Sequence, residues 1–334
     1  MNPRLMTIVI VTGLAAAGCG GDAATTTTVS EQTSTTDLAT TTTTLGTGTT
    51  EAEPRVFVGG DGVETTITDI SRIVSLNGDI TEIIFELGLG DNVVGVDVTT
   101  TYPPEAAALN DQGMTVGFAQ QLTAEAVLRF EPTLVIGDQQ VAPTEVIDQL
   151  RAAGVPVVIL ELQTTLDGVE TKIDQVAEIL GVVDEGVALA DRVMGEIDTA
   201  RQLASSDDSD PRVAFAYVRG PQVVFLFGAG MPTQAMIEGA GAIDAGAGTG
   251  ARGPAPLTPE ALVAADPDVI VLPEAGLAAL GGIEAFLQLP GVAETRAAQD
   301  DSFLVYDEAY FFNLGPRTGQ ALEQFVRDLY PGIG

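Results

Sequence analysis

Tyr217-Val218-Arg219 sets a phenol and a guanidinium two residues apart. On a strand, residues i and i+2 face the same way, so the two groups share one side. A tyrosinate oxygen is a hard anionic ligand suited to ferric iron. Free tyrosine titrates near pH ~10, so ligation at neutral pH needs help. The metal supplies much of it, and a nearby guanidinium favours the phenolate further. The same pair also suits an interior tyrosine beside an arginine bound to a carboxylate. A second tyrosine, Tyr102, precedes Pro103 and Pro104. The prolines hold it extended in a stiff loop, where it could ligate a metal or only stack on a planar ligand.

Composition narrows the remaining chemistry. The 334 residues contain no histidine and one cysteine. Ser-His-Asp catalysis, His-ligated zinc and an internal disulfide are excluded. Fourteen basic residues face 47 acidic ones, for a formal charge of −33. A chain this acidic does not track a phosphate backbone without a local basic groove, and none is legible, so no nucleic-acid partner is expected. With 13 arginines and one lysine, Lys172, each cation near the tyrosines matters. Arg317 in Gly-Pro-Arg-Thr and Arg252 in Gly-Ala-Arg-Gly are further candidates to hold ligand carboxylates, although ordinary surface pairing suits both. Met231 and Met236 fit packing better than ligation.

The elements that must position these groups alternate. Strand-like runs at Arg72–Leu76, Val93–Val98, Leu134–Ile136 and Val155–Leu160 are separated by helical stretches at Thr81–Leu87, Leu122–Phe130 and Pro143–Ala153. Thr123 is a plausible N-cap for the second, with Glu125 in its first turn. Strand–helix alternation predicts parallel α/β sheets. Residues 166–204 then read as a long helical pattern, with Gly181 and Gly186 as points of interruption. Strands resume at Arg212–Val218 and Val223–Phe227. Leu122-Thr-Ala-Glu-Ala-Val-Leu followed by Glu131-Pro-Thr-Leu-Val-Ile is repeated as Leu257-Thr-Pro-Glu-Ala-Leu-Val followed by Asp266-Pro-Asp-Val-Ile-Val. The expectation is two Rossmann-like α/β lobes with central sheets, residues 55–165 and 205–334. One long α-helix over 166–204 bridges them, and a ligand cleft lies between, at the carboxyl ends of the strands. Residues 55–69 fit either a leading strand or linker.

The first 54 residues read as delivery. Leu5–Ala17 has the length of a signal-peptide core and ends in Ala16-Ala17-Gly18-Cys19. This resembles a bacterial lipobox: a signal peptide over 1–18, with Cys19 lipidated. From Thr25 to Thr50, fifteen of 26 residues are threonine. Such a segment buries too little to offset its ordering entropy, so residues 19–54 read as a disordered stalk.

Arg72-Ile-Val-Ser-Leu-Asn-Gly-Asp-Ile-Thr-Glu-Ile-Ile-Phe-Glu-Leu-Gly, Val94-Gly-Val-Asp and Tyr102-Pro-Pro-Glu-Ala carry a family likeness. Over about residues 70–331 the chain resembles the substrate-binding proteins of ABC importers, in the helix-bridged class serving haem, cobalamin and ferric siderophores. Gly315-Pro-Arg-Thr318 and Tyr217-Val-Arg-Gly220 are most similar to haem-binding members. The resemblance implies a lipid-anchored monomer on the outer face of the cell membrane, with no catalytic activity and no cofactor of its own. It implies ferric haem as transported ligand, with Tyr217 and Tyr102 as iron ligands supported by Arg219. Some members place a histidine just before the helix at Leu122; here Gln120 stands there, a poor iron ligand able to hydrogen-bond. The resemblance also implies that Glu125 and Glu238, one per lobe, dock on the permease. Cobalamin or a ferric siderophore is the alternative ligand. A carboxylate-dependent enzyme or a structural surface protein is the alternative class.

Overall fold

A computed structural model describes residues 54–207 and 209–333. The signal peptide, Cys19 and the threonine stalk lie outside the described residues.

Thirteen strands occur among these residues: β1 Arg55–Val58, β2 Glu64–Ile67, β3 Ile73–Ser75, β4 Val93–Asp97, β5 Thr115–Gly117, β6 Leu134–Asp138, β7 Val157–Leu160, β8 Arg212–Val218, β9 Val224–Phe227, β10 Ile243–Asp244, β11 Pro254–Pro256, β12 Val269–Pro273 and β13 Phe303–Tyr306. β1 and β2 form an antiparallel hairpin, so residues 55–69 are neither a lone strand nor linker. β3 to β7 make a parallel sheet in the order β5-β4-β3-β6-β7. Its strands are short, β-branched and buried on both faces, as parallel sheets require. β8 to β13 make a second sheet in the order β11-β9-β8-β12-β13, with β10 on β8. This sheet is mixed: β8, β12 and β13 run parallel, β9 runs antiparallel to β8, and β11 runs antiparallel to β9.

The internal repeat is a repeated corner. Thr123 caps the helix Ala124–Leu128 by accepting from Ala126 N at 3.3 Å, and Thr258 caps Pro259–Ala265 by accepting from Ala261 N at 3.2 Å. Each helix is followed by an acidic residue with positive φ before proline, Glu131 at 46° three residues past Leu128 and Asp266 at 43° directly after Ala265. One arginine ties down each end. Arg72 Nε donates to the Phe130 and Glu131 carbonyls at 3.1 and 3.0 Å. Arg212 Nε donates to the Ala265 and Asp266 carbonyls at 3.1 and 3.2 Å. Carbonyls freed at a helix C-terminus need such donors.

The expected helix over 166–204 is two helices, Gly168–Leu180 and Val183–Ala204. Gly181 breaks them apart, since it takes φ 74°, a conformation that costs glycine nothing. Gly186 does not interrupt. It lies inside the second helix, where a Cβ would sit 2.2 Å from Ala177 Cβ, so its bare backbone lets the two helices touch. The second helix also packs along the C-terminal helix Thr318–Leu329. One apolar core runs through all of this, from Ile73 and Leu134 under the first sheet, through Val169 and Ile197, to Val213 and Phe325 under the second. The lobes are joined by continuous packing and not by a bare linker.

Candidate functional site

The first sheet reverses its strand order between β3 and β6, and both strands end at the same place. Such a switch point opens a crevice outside the carboxyl ends of the strands. Asn77 and Asp79 follow β3, while Asp138 ends β6. Asn77 Oδ1 accepts from Asp138 N at 3.0 Å and ties the two ends together. Facing them are the ends of the second sheet: Tyr217 and Arg219 from β8, then Glu308 and Phe312 after β13. Between lies a cleft of about 680 Å3, within the range of small-molecule sites.

The second lobe gives the cleft an aromatic wall. The Tyr217 ring stacks on Phe227 with centroids 5.2 Å apart, and Phe227 meets Phe312 at 5.8 Å. Phe118 lines the opposite side and is 40% exposed, an unusual share for a phenylalanine. The Arg219 guanidinium lies 5.3 Å over its ring and spans the opening. Behind Tyr217 the packing is close. A Cβ on Gly276 would fall 1.7 Å from the Val218 carbonyl oxygen, so only glycine lets the following helix approach the end of β8.

Tyr217 and Arg219 come together as expected, with a third partner. The Tyr217 hydroxyl donates to Glu308 Oε1 at 3.2 Å, and Arg219 Nη2 donates to both Glu308 oxygens at 3.4 and 3.2 Å. The guanidinium alone would favour the phenolate. Burial and the Glu308 charge outweigh it and push the Tyr217 hydroxyl up to about 12. The phenol is therefore protonated in the unliganded cleft, contrary to the effect expected of Arg219 by itself.

The floor is charged and already paired. Lys172 Nζ donates to Asp79 and to the carbonyls of Asn313 and Leu314 at 3.2 and 3.1 Å. All three of its protons are used, and it joins the helix after β3, the helix Gly168–Leu180 and the second lobe. Burial raises the Asp138 carboxyl above the usual range, helped by the Asp79 charge and opposed by Lys172. Among the described residues lining the cleft, Lys172 and Arg219 are the cations, and neither is unpaired.

The other expected site residues separate. Gln120 lies in the turn Ala119–Gln121 and lines the cleft, as does Met231; Met236 is fully buried in the core. Tyr102 and Arg317 are not among the lining residues. Arg317 binds Glu82 through Nε and Nη2 at 2.9 and 3.0 Å, and its guanidinium covers the Tyr102 ring. Arg317 is thus already held by a buried carboxylate and stands outside the cleft lining. Tyr102 is half-buried beneath it. Arg252 is exposed, its backbone bridged to Ala229 outside the cleft lining. Glu125 and Glu238 are exposed on separate lobes. Glu308 and Phe118 went unread as site residues. Glu308 is one carboxylate among 47, although its place directly after a strand was a usable signal.

A two-lobed α/β fold with its cleft at the carboxyl ends of both sheets defines a ligand-binding protein. The chain belongs to the periplasmic binding protein family, whose model matches residues 73–310. It is similar to the periplasmic heme-binding protein RhuT from Roseiflexus sp. RS-1, at 42% identity and TM-score 0.76, covering 80% of this chain and all of that one. It is also similar to the heme-binding protein HmuT, at 35% identity and TM-score 0.77, over 85% of this chain and 92% of that one. An uncharacterized ABC transporter substrate-binding lipoprotein of Bacillus subtilis, YvrC, is 26% identical over 78% of this chain and 80% of its own length. A cobalamin-binding protein of Halobacterium salinarum is 31% identical over 63% of this chain and 57% of its own.

Proposed function

We propose that this protein captures ferric haem in the inter-lobe cleft and delivers it to an ABC importer at the outer face of the membrane, tethered through Cys19. The single observation that carries this reading is the Tyr217–Arg219 pair at the end of β8, set in an aromatic wall. A flat apolar macrocycle is matched by Tyr217, Phe227, Phe312 and Phe118. Its ferric centre is matched by the phenol, a known haem ligand type. On binding, the O–H bond of Tyr217 breaks, the oxygen bonds iron, and the proton leaves to water. Arg219 then faces an anionic oxygen and stabilises it. Tyr217 is the iron ligand in this reading, and Gln120 hydrogen-bonds near the opposite face. Tyr102 supports the loop from beneath Arg317.

The family and the similar structures are binding proteins, which supports a carrier and not an enzyme. Glu125 and Glu238, exposed one on each lobe, are the proposed contacts with the permease, where complementary charge sets orientation and encounter rate. Cobalamin is the second reading, favoured by the cobalamin-binding relative. A corrinoid needs no phenolate, so the two readings differ at Tyr217. Titration of the purified protein with hemin, followed by absorption, is expected to give a saturable shift with tyrosinate-to-iron charge-transfer bands. No shift, together with tight binding of cyanocobalamin, would assign the cleft to the corrinoid.

A further inference from the structure

Glu308 opens the helix Glu308–Phe312, directly after β13. Its carboxylate reaches across to the end of β8 and holds both the Tyr217 hydroxyl and Arg219 Nη2. Its side chain is 21% exposed, which puts the carboxylate inside the cleft and not on its rim. Among the described residues, Arg219 has no other ion-pair partner. The neighbouring Asp307 is occupied differently: its Oδ1 accepts from Tyr310 N at 2.9 Å and caps its own helix. Glu308 alone therefore sits on the two groups that a ferric ligand has to reach.

We infer that Glu308 is an internal occupant of the Tyr217–Arg219 pair, which an incoming ligand displaces and which returns when the ligand leaves. The inference rests on the haem reading of the cleft. A carboxylate tethered to the fold competes at a high and constant effective concentration. It therefore weakens capture and favours release, as a carrier that must surrender its cargo requires. It also makes the cleft selective. A macrocycle with ferric iron gains a bond to Tyr217 that offsets the displaced contacts. A metal-free porphyrin displaces the same contacts and gains no such bond.

Glu308→Gln keeps the shape and removes the charge. Arg219 labelling by phenylglyoxal, read by mass spectrometry on the ligand-free protein, is expected to quicken in the variant as its carboxylate partner is lost. Hemin is expected to bind about fivefold more tightly, the upper range for a part-exposed ion pair. Transfer of hemin to apomyoglobin is expected to slow by a similar factor, and the preference for hemin over protoporphyrin IX to narrow. Glu308→Ala should act in the same direction, and Glu294→Gln, at an exposed position away from the cleft, should change nothing. Unchanged labelling of Arg219 overturns the inference whatever the ligand is. Unchanged or weaker hemin binding by both Glu308 variants overturns it while leaving the haem reading intact. Absence of any hemin shift in the parent protein, with labelling accelerated in Glu308→Gln, sinks the haem reading and keeps the occupancy of Arg219.

Discussion

The Arg317 guanidinium stands 3.8 Å from the centre of the Tyr102 ring while its two nitrogens hold the Glu82 carboxylate. One cation thus serves a ring on the first lobe and a buried acid on the helix after β3. A cation over an aromatic face is attracted to the ring as well as to its anion. Tyr102 is therefore engaged from above, while Tyr217 is the tyrosine that lines the cleft.

The two tyrosines should separate by substitution. Tyr217→Phe is expected to abolish the charge-transfer bands of bound hemin. It should weaken binding by at least about tenfold, the loss typical of removing even a supporting partner of a metal ligand. Tyr102→Phe keeps the ring beneath Arg317, and hemin affinity should change little. A reversed order in the absorption titrations would move the iron ligand to Tyr102.

The buried floor pair should be costly to break. Lys172→Met leaves Asp79 charged and buried, a loss of about 3–5 kcal/mol in urea denaturation. Adding Asp79→Asn should recover much of it, because the uncompensated charge is gone. If the double variant is no more stable than the single one, the Lys172 contacts to the Asn313 and Leu314 carbonyls dominate instead.

Stability should rise on mild acidification. Burial raises the Asp97 and Asp138 carboxyls, so both hold protons to higher pH in the folded chain than in the unfolded one. Their contribution is full below the unfolded value near ~4 and is lost as pH climbs through the folded values. The charge of −33 pushes the same way by self-repulsion. The melting temperature is therefore expected to fall from pH 5 to pH 7. Asp97→Asn with Asp138→Asn should flatten that slope if these two buried acids carry it; an unchanged slope would assign it to Glu82 and Asp244, whose carboxyls burial also raises, or to overall charge.

The repeated corner predicts matched losses. Arg72→Ala and Arg212→Ala each remove donors from two carbonyls at a helix end, for about 1–3 kcal/mol apiece. The two sites lie in separate lobes and share no partner, so a double variant should lose the sum. Unequal losses in thermal unfolding would show that the two corners differ in what else supports them.

Much of the scaffold was legible because its signals are local. Thr123 caps its helix by contact with Ala126, three residues on, and β8 runs over the residues that its β-branched and aromatic run suggests. The helix, turn and strand that begin at Leu122 and again at Leu257 could be read because the chain writes them twice; the arginines that tie each corner down could not. Gly181 and Gly186 show the limit. Both were possible breaks, and only the packing against Ala177 explains why one breaks the helix and the other lets two helices touch. The site depended on distant partners. Glu308 lies 89 residues from Arg219, and Glu82 lies 235 from Arg317. Nothing in the spacing of either arginine says which of many carboxylates will claim it. That choice decides what lies against each tyrosine.

Lys172 is the only lysine in the chain, 3% exposed, with every proton already given away. The folded surface thus offers no lysine amine to acylating reagents. Acylation at that side chain requires the region around it to open, so the rate at which an amine-reactive ester modifies Lys172 becomes a clock for separation of the lobes. The same rate measured with ligand bound would time how strongly cargo holds them together.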